Sequence, residues 1–235
     1  MLWYSIRYGV FKWKIIQGIY IPVHINYGYS VLRFIDNSEY EKSEITIIQN
    51  TLSNDDRILE LGTGIGFVSA YCARQIGSDR VFTYEGNPEM KPLIDELYNK
   101  NNVTPDSTIA LLGSSNGTKR FYKNGKNFLA SSSDMITDEH PPLDIQEQSL
   151  NEVIANIKPT YFIMDIEGGE YDIFKIINFQ SILKIQFELH PSVLKETQIN
   201  FIFEKLKGAN FIRSELFNYS NNFYFTRKDS QAPGS

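Results

Sequence analysis

The chain has 235 residues, enough for one large domain with a substantial buried core. Its net charge of −5 argues against a nucleic-acid partner or an anionic membrane surface, and no stretch approaches the roughly 18–20 consecutive apolar residues of a membrane span. A single cysteine, Cys72, excludes an internal disulfide and a cysteine-rich zinc site.

Residues 1–37 are rich in β-branched and aromatic side chains, with Gly9, Gly18 and Gly28 as punctuation, and predict short strands or a hairpin capping the main domain. Arg7, Lys12 and Lys14 are scattered among aromatics, so this region does not read as a signal peptide and the cytoplasm is the expected compartment. Residues 38–53 predict a helix with Ile45, Ile48 and Leu52 on one face. From Arg57 strands and helices alternate, the pattern of a parallel sheet with crossover helices. The expected pairs are strand 57–61 with helix 67–75, strand 80–84 with helix 88–101, strand 161–166 with helix 170–177, and strand 185–189 with helix 193–207. A third strand is expected over 108–112. Cys72 falls within the first of these helices, as a buried structural thiol. Residues 114–143 carry Gly117, Gly125, serines at 131–133, Asp134, Pro141 and Pro142 without a clear period, and predict a functional loop or lid. Strands 212–217 and 223–227 flank a turn-rich stretch and predict an antiparallel hairpin, and residues 229–235 a disordered tail. The chain thus divides into an N-terminal β extension (1–37), a main domain (38–228) and a tail (229–235). Its 16 Phe and 14 Tyr read as core and pocket walls, because no basic patch is interleaved with them.

Three stretches carry chemistry. The first is Glu60-Leu61-Gly62-Thr63-Gly64-Ile65-Gly66, between an apolar strand and an apolar helix. Its glycines allow a sharp turn and close approach of a ligand to the free N–H groups of the helix start. The G-x-G-x-G spacing departs from the dinucleotide fingerprint G-x-G-x-x-G. Glu60 suits the cationic sulfonium and amino groups of S-adenosylmethionine, and would repel a pyrophosphate. The second is Tyr84-Glu85-Gly86-Asn87-Pro88, where Glu85 is placed to accept both hydroxyls of a ribose; the alternative is a helix-start charge. The third is Met164-Asp165-Ile166-Glu167-Gly168-Gly169-Glu170, with Glu188 and His190 at the next strand end. Carboxylates at the carboxyl edge of a parallel sheet can hold a substrate, act as a general base or hold a divalent cation, and the residues leave these open. His190 suits a general base near neutral pH; a capping or packing histidine is the alternative. His24 and His140 receive no role.

In this order, ELGTGIG, YEGNP, the serines at 131–133, FIMDIEGGEYDIF and FELHP, the chain resembles the FkbM family of S-adenosylmethionine-dependent methyltransferases over about residues 44–227. The resemblance implies a Rossmann-like class I methyltransferase fold: α/β, with a mostly parallel seven-stranded sheet, an antiparallel C-terminal hairpin and here a small N-terminal β extension. It implies a cofactor site made by Glu60, Gly62, Thr63, Gly64, Gly66, Glu85, Asn87, Ser114 and Asp165. It also implies a transfer site lined by Asp165, Glu167, Glu170, Glu188 and His190, with His190 or Asp165 as base and Glu167 and Glu170 orienting the acceptor. The implied reaction is O-methylation of a small-molecule hydroxyl, on a glycan or natural product. The chain departs from the family in having Glu60-Leu61-Gly62-Thr63-Gly64 for Asp-Val-Gly-Ala-Asn, Met164 for a Lys before the acidic block, and Gly169 for an Ala. Two other readings are a nicotinamide-dependent oxidoreductase, disfavoured by the glycine spacing, and a non-catalytic module that binds a nucleotide-like ligand. The sequence assigns neither an oligomeric state nor a metal requirement.

Overall fold

A computed structural model describes residues 13–24, 27, 29–123, 131–132, 143–217 and 219–228. Expectations for Gly9, Gly28, Gly125, Ser133, Asp134, His140, Pro141, Pro142 and the 229–235 tail lie outside these residues. A seven-stranded sheet organises the chain, built from β3 (Ile58–Leu61), β4 (Val81–Glu85), β5 (Asp106–Ile109), β10 (Tyr161–Met164), β11 (Lys184–Glu188), β12 (Phe211–Arg213) and β13 (Asn222–Arg227). Their spatial order is β12-β13-β11-β10-β3-β4-β5. β5, β4, β3, β10 and β11 pair in parallel, while β13 runs antiparallel between β11 and β12. The order reverses between β3 and β10, and the carboxyl ends of these two strands open a crevice there.

Strand alternation divides the core cleanly. Ile58, Tyr161 and Ile163 face one apolar cluster, with α3 (Phe67–Ile76) and α4 (Lys91–Asn101) packed over it. Leu59, Leu61, Phe162 and Met164 face the other, under α6 (Glu170–Ile176) and α7 (Glu196–Gly208). Every residue of β3 and β10 is buried, as expected of strands covered on both faces. On the second face Phe187 stacks on Phe223 and Phe225 and meets Phe174 edge-on, so part of the aromatic excess is core.

The N-terminal hairpin, β1 (Trp13–Ile16) with β2 (Ile19–Pro22), leads into helix α1 (Tyr29–Asp36), which the strand-rich reading of 1–37 did not foresee. Ile16, Ile19 and Ile21 join the first apolar cluster, and Asn101 from α4 bonds both the N–H and the carbonyl of Tyr20. Helix α2 (Lys42–Thr51) occupies the middle of the expected 38–53.

The largest difference lies in residues 114–143. Their described part supplies β7 (Gly117–Lys123), β8 (Ser131–Ser132) and the first residue of β9 (Leu143–Ser149), which with β6 (Leu111–Gly113) form a four-stranded sheet in the order β6-β9-β7-β8. The expected strand 108–112 breaks at Ala110, whose N–H bonds the Glu85 carbonyl, and thereby splits between the two sheets. Charged residues of β7 and β9 interrupt an apolar/polar alternation, which hid both strands from periodicity. Helix α5 (Leu150–Ile157), capped by Ser149, was likewise unforeseen. The final hairpin pairs as expected, although β12 stops at Arg213. Among the described residues, no helix is long and apolar enough to cross a membrane.

At the opposite, amino edge of the sheet, Asp56 accepts from the Ser53 N–H, from Thr160 Oγ1 and from Lys184 Nζ at 2.6 Å. Its side chain is only 6% exposed. Asp56→Ala should therefore strand a partly buried ammonium. The expected loss is roughly 2–3 kcal/mol, below the fully buried case because Lys184 keeps some water and its bond to the Thr51 carbonyl. The midpoint of urea unfolding measures it, and an unchanged midpoint would remove Asp56 from the stabilising network.

Candidate active site

The glycine turn is shaped by contact with the neighbouring strand end. Gly62 has φ +85°, and a Cβ there would lie 1.8 Å from the Asp165 carbonyl oxygen. Its N–H bonds the Tyr84 carbonyl, while the Asp165 N–H bonds the Leu61 carbonyl. The turn, the Glu85 strand end and the acidic block are therefore tied to one another by backbone hydrogen bonds. Gly66, at φ +87°, opens α3, and a Cβ there would lie 2.8 Å from the Tyr98 ring.

Over this turn lies a cavity of about 300 Å³, a volume in the range of small-molecule and cofactor pockets. Glu60, Gly62, Thr63, Gly64, Glu85, Asp165 and Glu167 line it, as the sequence motifs suggest. Glu85 is pre-set: Oε2 accepts from the Gly64 N–H at 2.9 Å and Oε1 from the Asn87 N–H at 2.7 Å. Burial pushes its carboxyl up to about 7, against the pull of these N–H groups. Burial likewise lifts Glu60 to about 7, eased by the Thr83 and Ser69 hydroxyls, and its Oε2 is buried with no hydrogen-bond partner. Thr63 turns its hydroxyl to that of Thr83.

Three expected cofactor residues stand elsewhere. Asn87 is buried but directs its side chain to the Glu89 N–H, capping the short 3-10 turn Pro88–Met90. Ser114 is exposed on the connection after β6 and does not line the cavity, because the chain has already left the main sheet at Ala110. Gly66 shapes the helix start beneath the cavity without lining it.

Beside the cavity Asp165, Glu167, Glu170, Glu188 and His190 converge, as the strand-end spacing implies. His190 Nδ1 donates to Glu170 Oε1 at 2.5 Å, and its Nε2 lies 3.5 Å from Glu167 and 3.8 Å from Asp165. Burial disfavours a charge on His190, but the Glu170 bond and the Asp165 and Glu167 charges outweigh it and raise it from 6.5 to about 9. At pH 7 the imidazole thus holds its proton. Burial and the nearby Glu188 charge raise Asp165 well above the ordinary carboxylate value, with His190 opposing. Burial and Glu44 push Glu188 up to about 7. Glu170 is wholly buried behind His190, so it positions the imidazole and reaches no acceptor in the cavity.

Sequence reasoning missed Tyr40, Glu41 and Glu44, which roof the cavity from the start of α2, and Lys119 and Phe121, which wall it from β7. Glu41 has φ 49°, a left-handed conformation costly for a residue other than glycine, and its carboxyl is raised by burial and then by Glu44. Glu44 accepts from the Asn222 side-chain amide. The only available signal was two carboxylates around a helix start, the usual place for surface acids. In all, seven carboxyl groups line the cavity against one ammonium, Lys119.

A parallel sheet with one reversed strand, a glycine turn at its switch point and a pocket above that turn define the class I methyltransferase fold. Residues 47–221 match the family model described as the methyltransferase FkbM domain. The chain belongs to this FkbM methyltransferase family. No curated protein matches it. Among solved structures it is similar to the tRNA (uracil-54, C5)-methyltransferase of Pyrococcus abyssi in complex with S-adenosyl-L-homocysteine. That match has 12% identity and a TM-score of 0.50, and covers 91% of this chain but only 42% of the other. It is also similar to a methyltransferase of Pyrococcus furiosus, at 14% identity and a TM-score of 0.47, over 96% of this chain and 95% of that one. A third similar structure is an FkbM methyltransferase of Methylobacillus flagellatus KT, at 14% identity and a TM-score of 0.49, over 84% of this chain and 53% of that one.

Gly62→Ala should insert a methyl group into the Asp165 carbonyl and force an unfavourable φ. A stability loss of about 1–3 kcal/mol or more is expected, together with loss of cofactor binding. Thermal unfolding and calorimetry on the same sample measure both, and wild-type behaviour in either would show that the close approach is dispensable.

Proposed function

We propose that this chain transfers the methyl group of S-adenosylmethionine to a hydroxyl oxygen of a small molecule, a sugar or natural product. The observation that carries this reading is the charge excess of the cavity over the glycine turn. The pyrophosphate of a dinucleotide would meet repulsion from Glu60, whereas a sulfonium and an ammonium are attracted. Glu85 would accept the two ribose hydroxyls through the lone pairs that its backbone donors leave free. The unpartnered Oε2 of Glu60 would hold the ammonium of the aminoacyl end. When bound, the cofactor supplies a methyl group that is already electrophilic.

The protein's own work is alignment and proton removal. Asp165 sits where the glycine turn meets the acidic cluster, and takes the acceptor's hydroxyl proton. The acceptor oxygen so deprotonated would be held in line with the methyl group that the cofactor supplies. Protonated His190 is not the base near neutral pH; it balances Asp165 and Glu167. Phe121 and Lys119 of the second sheet and Tyr40 of the roof bound the space left for an acceptor. Localisation in the cytoplasm and a division into extension and main domain remain parts of this reading.

Asp165→Asn should lower kcat at least 10²-fold while leaving the calorimetric affinity for S-adenosylmethionine within about threefold. Full turnover in that variant would remove Asp165 from proton transfer. The cofactor's affinity should also depend on pH. Glu85, with its carboxyl at about 7, is ionised above that pH and neutral below it, and the ionised form is the better acceptor of ribose hydroxyls. Kd should therefore weaken roughly tenfold between pH 8 and pH 6. The raised carboxyls of Glu60 and Glu85 favour the metal- and cofactor-free fold below about pH 4.5, and this contribution is lost as pH rises through 7. The cofactor's thermal stabilisation should accordingly grow with pH. Glu85→Gln should weaken binding at pH 8 and reduce the slope to the part that Glu60 contributes; an unchanged affinity and slope would refute the ribose role.

A further inference from the structure

We propose that Asp165, Glu188 and His190 form a divalent-cation site at the edge of the cofactor cavity, fitted to a first-row ion such as Mn²⁺ and used to hold the acceptor's oxygen. The proposal deepens the methyltransferase reading and rests on it for the acceptor alone. One ligand atom from each of the three residues lies within 4.8 Å of the other two. Ligands that each stand about 2.0–2.5 Å from one ion are at most about 4–5 Å apart, so the three need close only slightly on an ion. They come from two adjacent parallel strand ends, with Met164 paired to Phe187 just before them, and the spacing of the ligands is therefore set by the sheet.

The imidazole is already oriented for this task. Its Nδ1–H is committed to Glu170 Oε1, which leaves Nε2 directed toward Asp165 and Glu167, and an ion binding there displaces to solvent the proton that Nε2 carries in the empty site. A carboxylate holding the far nitrogen of a histidine is the usual outer support of a metal ligand, fixing the ring and raising its basicity. Glu170 gives a second and separate indication. Its side chain is wholly buried, and its other oxygen, Oε2, has no hydrogen-bond partner. A wholly buried carboxyl group with one oxygen unpaired is costly, and orienting a metal-ligating imidazole is one role that offsets the cost.

Two carboxylate oxygens and one imidazole nitrogen suit Mn²⁺ better than Mg²⁺, which prefers oxygen alone. Three protein ligands leave further coordination positions open toward the cavity, into which Asp165 also faces. A hydroxyl oxygen of the acceptor can take one of them and become more acidic. With Asp165 bound through Oδ1, the oxygen nearer His190, its Oδ2 is free to take the hydroxyl proton. The acceptor class that fits is a vicinal diol or hydroxy-carbonyl compound, which offers two oxygens to one ion.

Electron paramagnetic resonance of Mn²⁺ added to the full chain, freed of metal with EDTA and held at pH 8 without cofactor or acceptor, tests the site. One Mn²⁺ per chain should bind, with Mg²⁺ competing only in large excess. Asp165→Asn, Glu188→Gln and His190→Ala should each weaken binding at least tenfold, and Glu170→Gln about tenfold. His24→Ala, which removes a surface histidine paired with Glu96, should change nothing. Should His190→Ala fail to fold, His190→Gln serves the same comparison. Absence of stoichiometric Mn²⁺ binding by the wild-type chain, or wild-type affinity in the ligand variants, would overturn the proposal. Calorimetry of S-adenosylmethionine with the same EDTA-treated protein separates the two readings. Cofactor binding without Mn²⁺ binding would overturn the cation site alone, and Mn²⁺ binding without cofactor binding would overturn the methyltransferase reading alone.

Discussion

The contact between Gly62 and the Asp165 carbonyl is the constraint on which the site depends. β3 and β10 lie side by side in parallel with Leu61 opposite Met164, so the residues that follow each strand must share one small space. Only a residue without a side chain, and with access to positive φ, passes so close to a neighbouring backbone. That approach sets the glycine turn, which gives the Gly64 N–H to Glu85, against the acidic block, which gives Asp165 and Glu167 to the cavity. The side chains that line the cavity from these two strand ends are thereby positioned by the sheet.

The second theme is accumulated negative charge. Glu41, Glu44, Glu60, Glu85, Asp165 and Glu188 crowd one edge of the sheet, and burial with mutual repulsion raises most of them above ordinary carboxylate values. His190 offsets part of this charge and is raised in turn. Such a cluster works against the empty fold and in favour of cationic occupants. The stability given up in the absence of ligand becomes binding free energy in its presence. The left-handed Glu41 adds backbone strain at the same place.

Much of this was legible along the chain, for physical reasons that differ from residue to residue. The alternation of strands rich in apolar residues with helices reports a sheet covered on both faces, and the seven strands expected between Arg57 and Arg227 are those of the observed sheet. Glycine spacing and strand-end carboxylates are local signals, so Gly62, Glu85, Asp165 and His190 could be singled out. The second sheet could not, because β7 and β9 are rich in charge and their pairing joins residues 22 to 30 positions apart. Nor could the roles of Ser114 and Asn87, which depend on where the chain turns away at Ala110 and on which N–H group a side chain finds.

By itself, the sequence determined the α/β class, the family and the strand ends at which chemistry gathers, since each is written in short-range periodicity and spacing. Tertiary structure alone decided which carboxylates face one another. Glu41 and Glu44, from a helix start, meet residues more than a hundred positions away, and Glu170 turns inward to hold His190 instead of facing an acceptor. Charge–charge distance is a property of packing and not of order along the chain. The electrostatic character of the site therefore emerged only when the sheet brought its strand ends together.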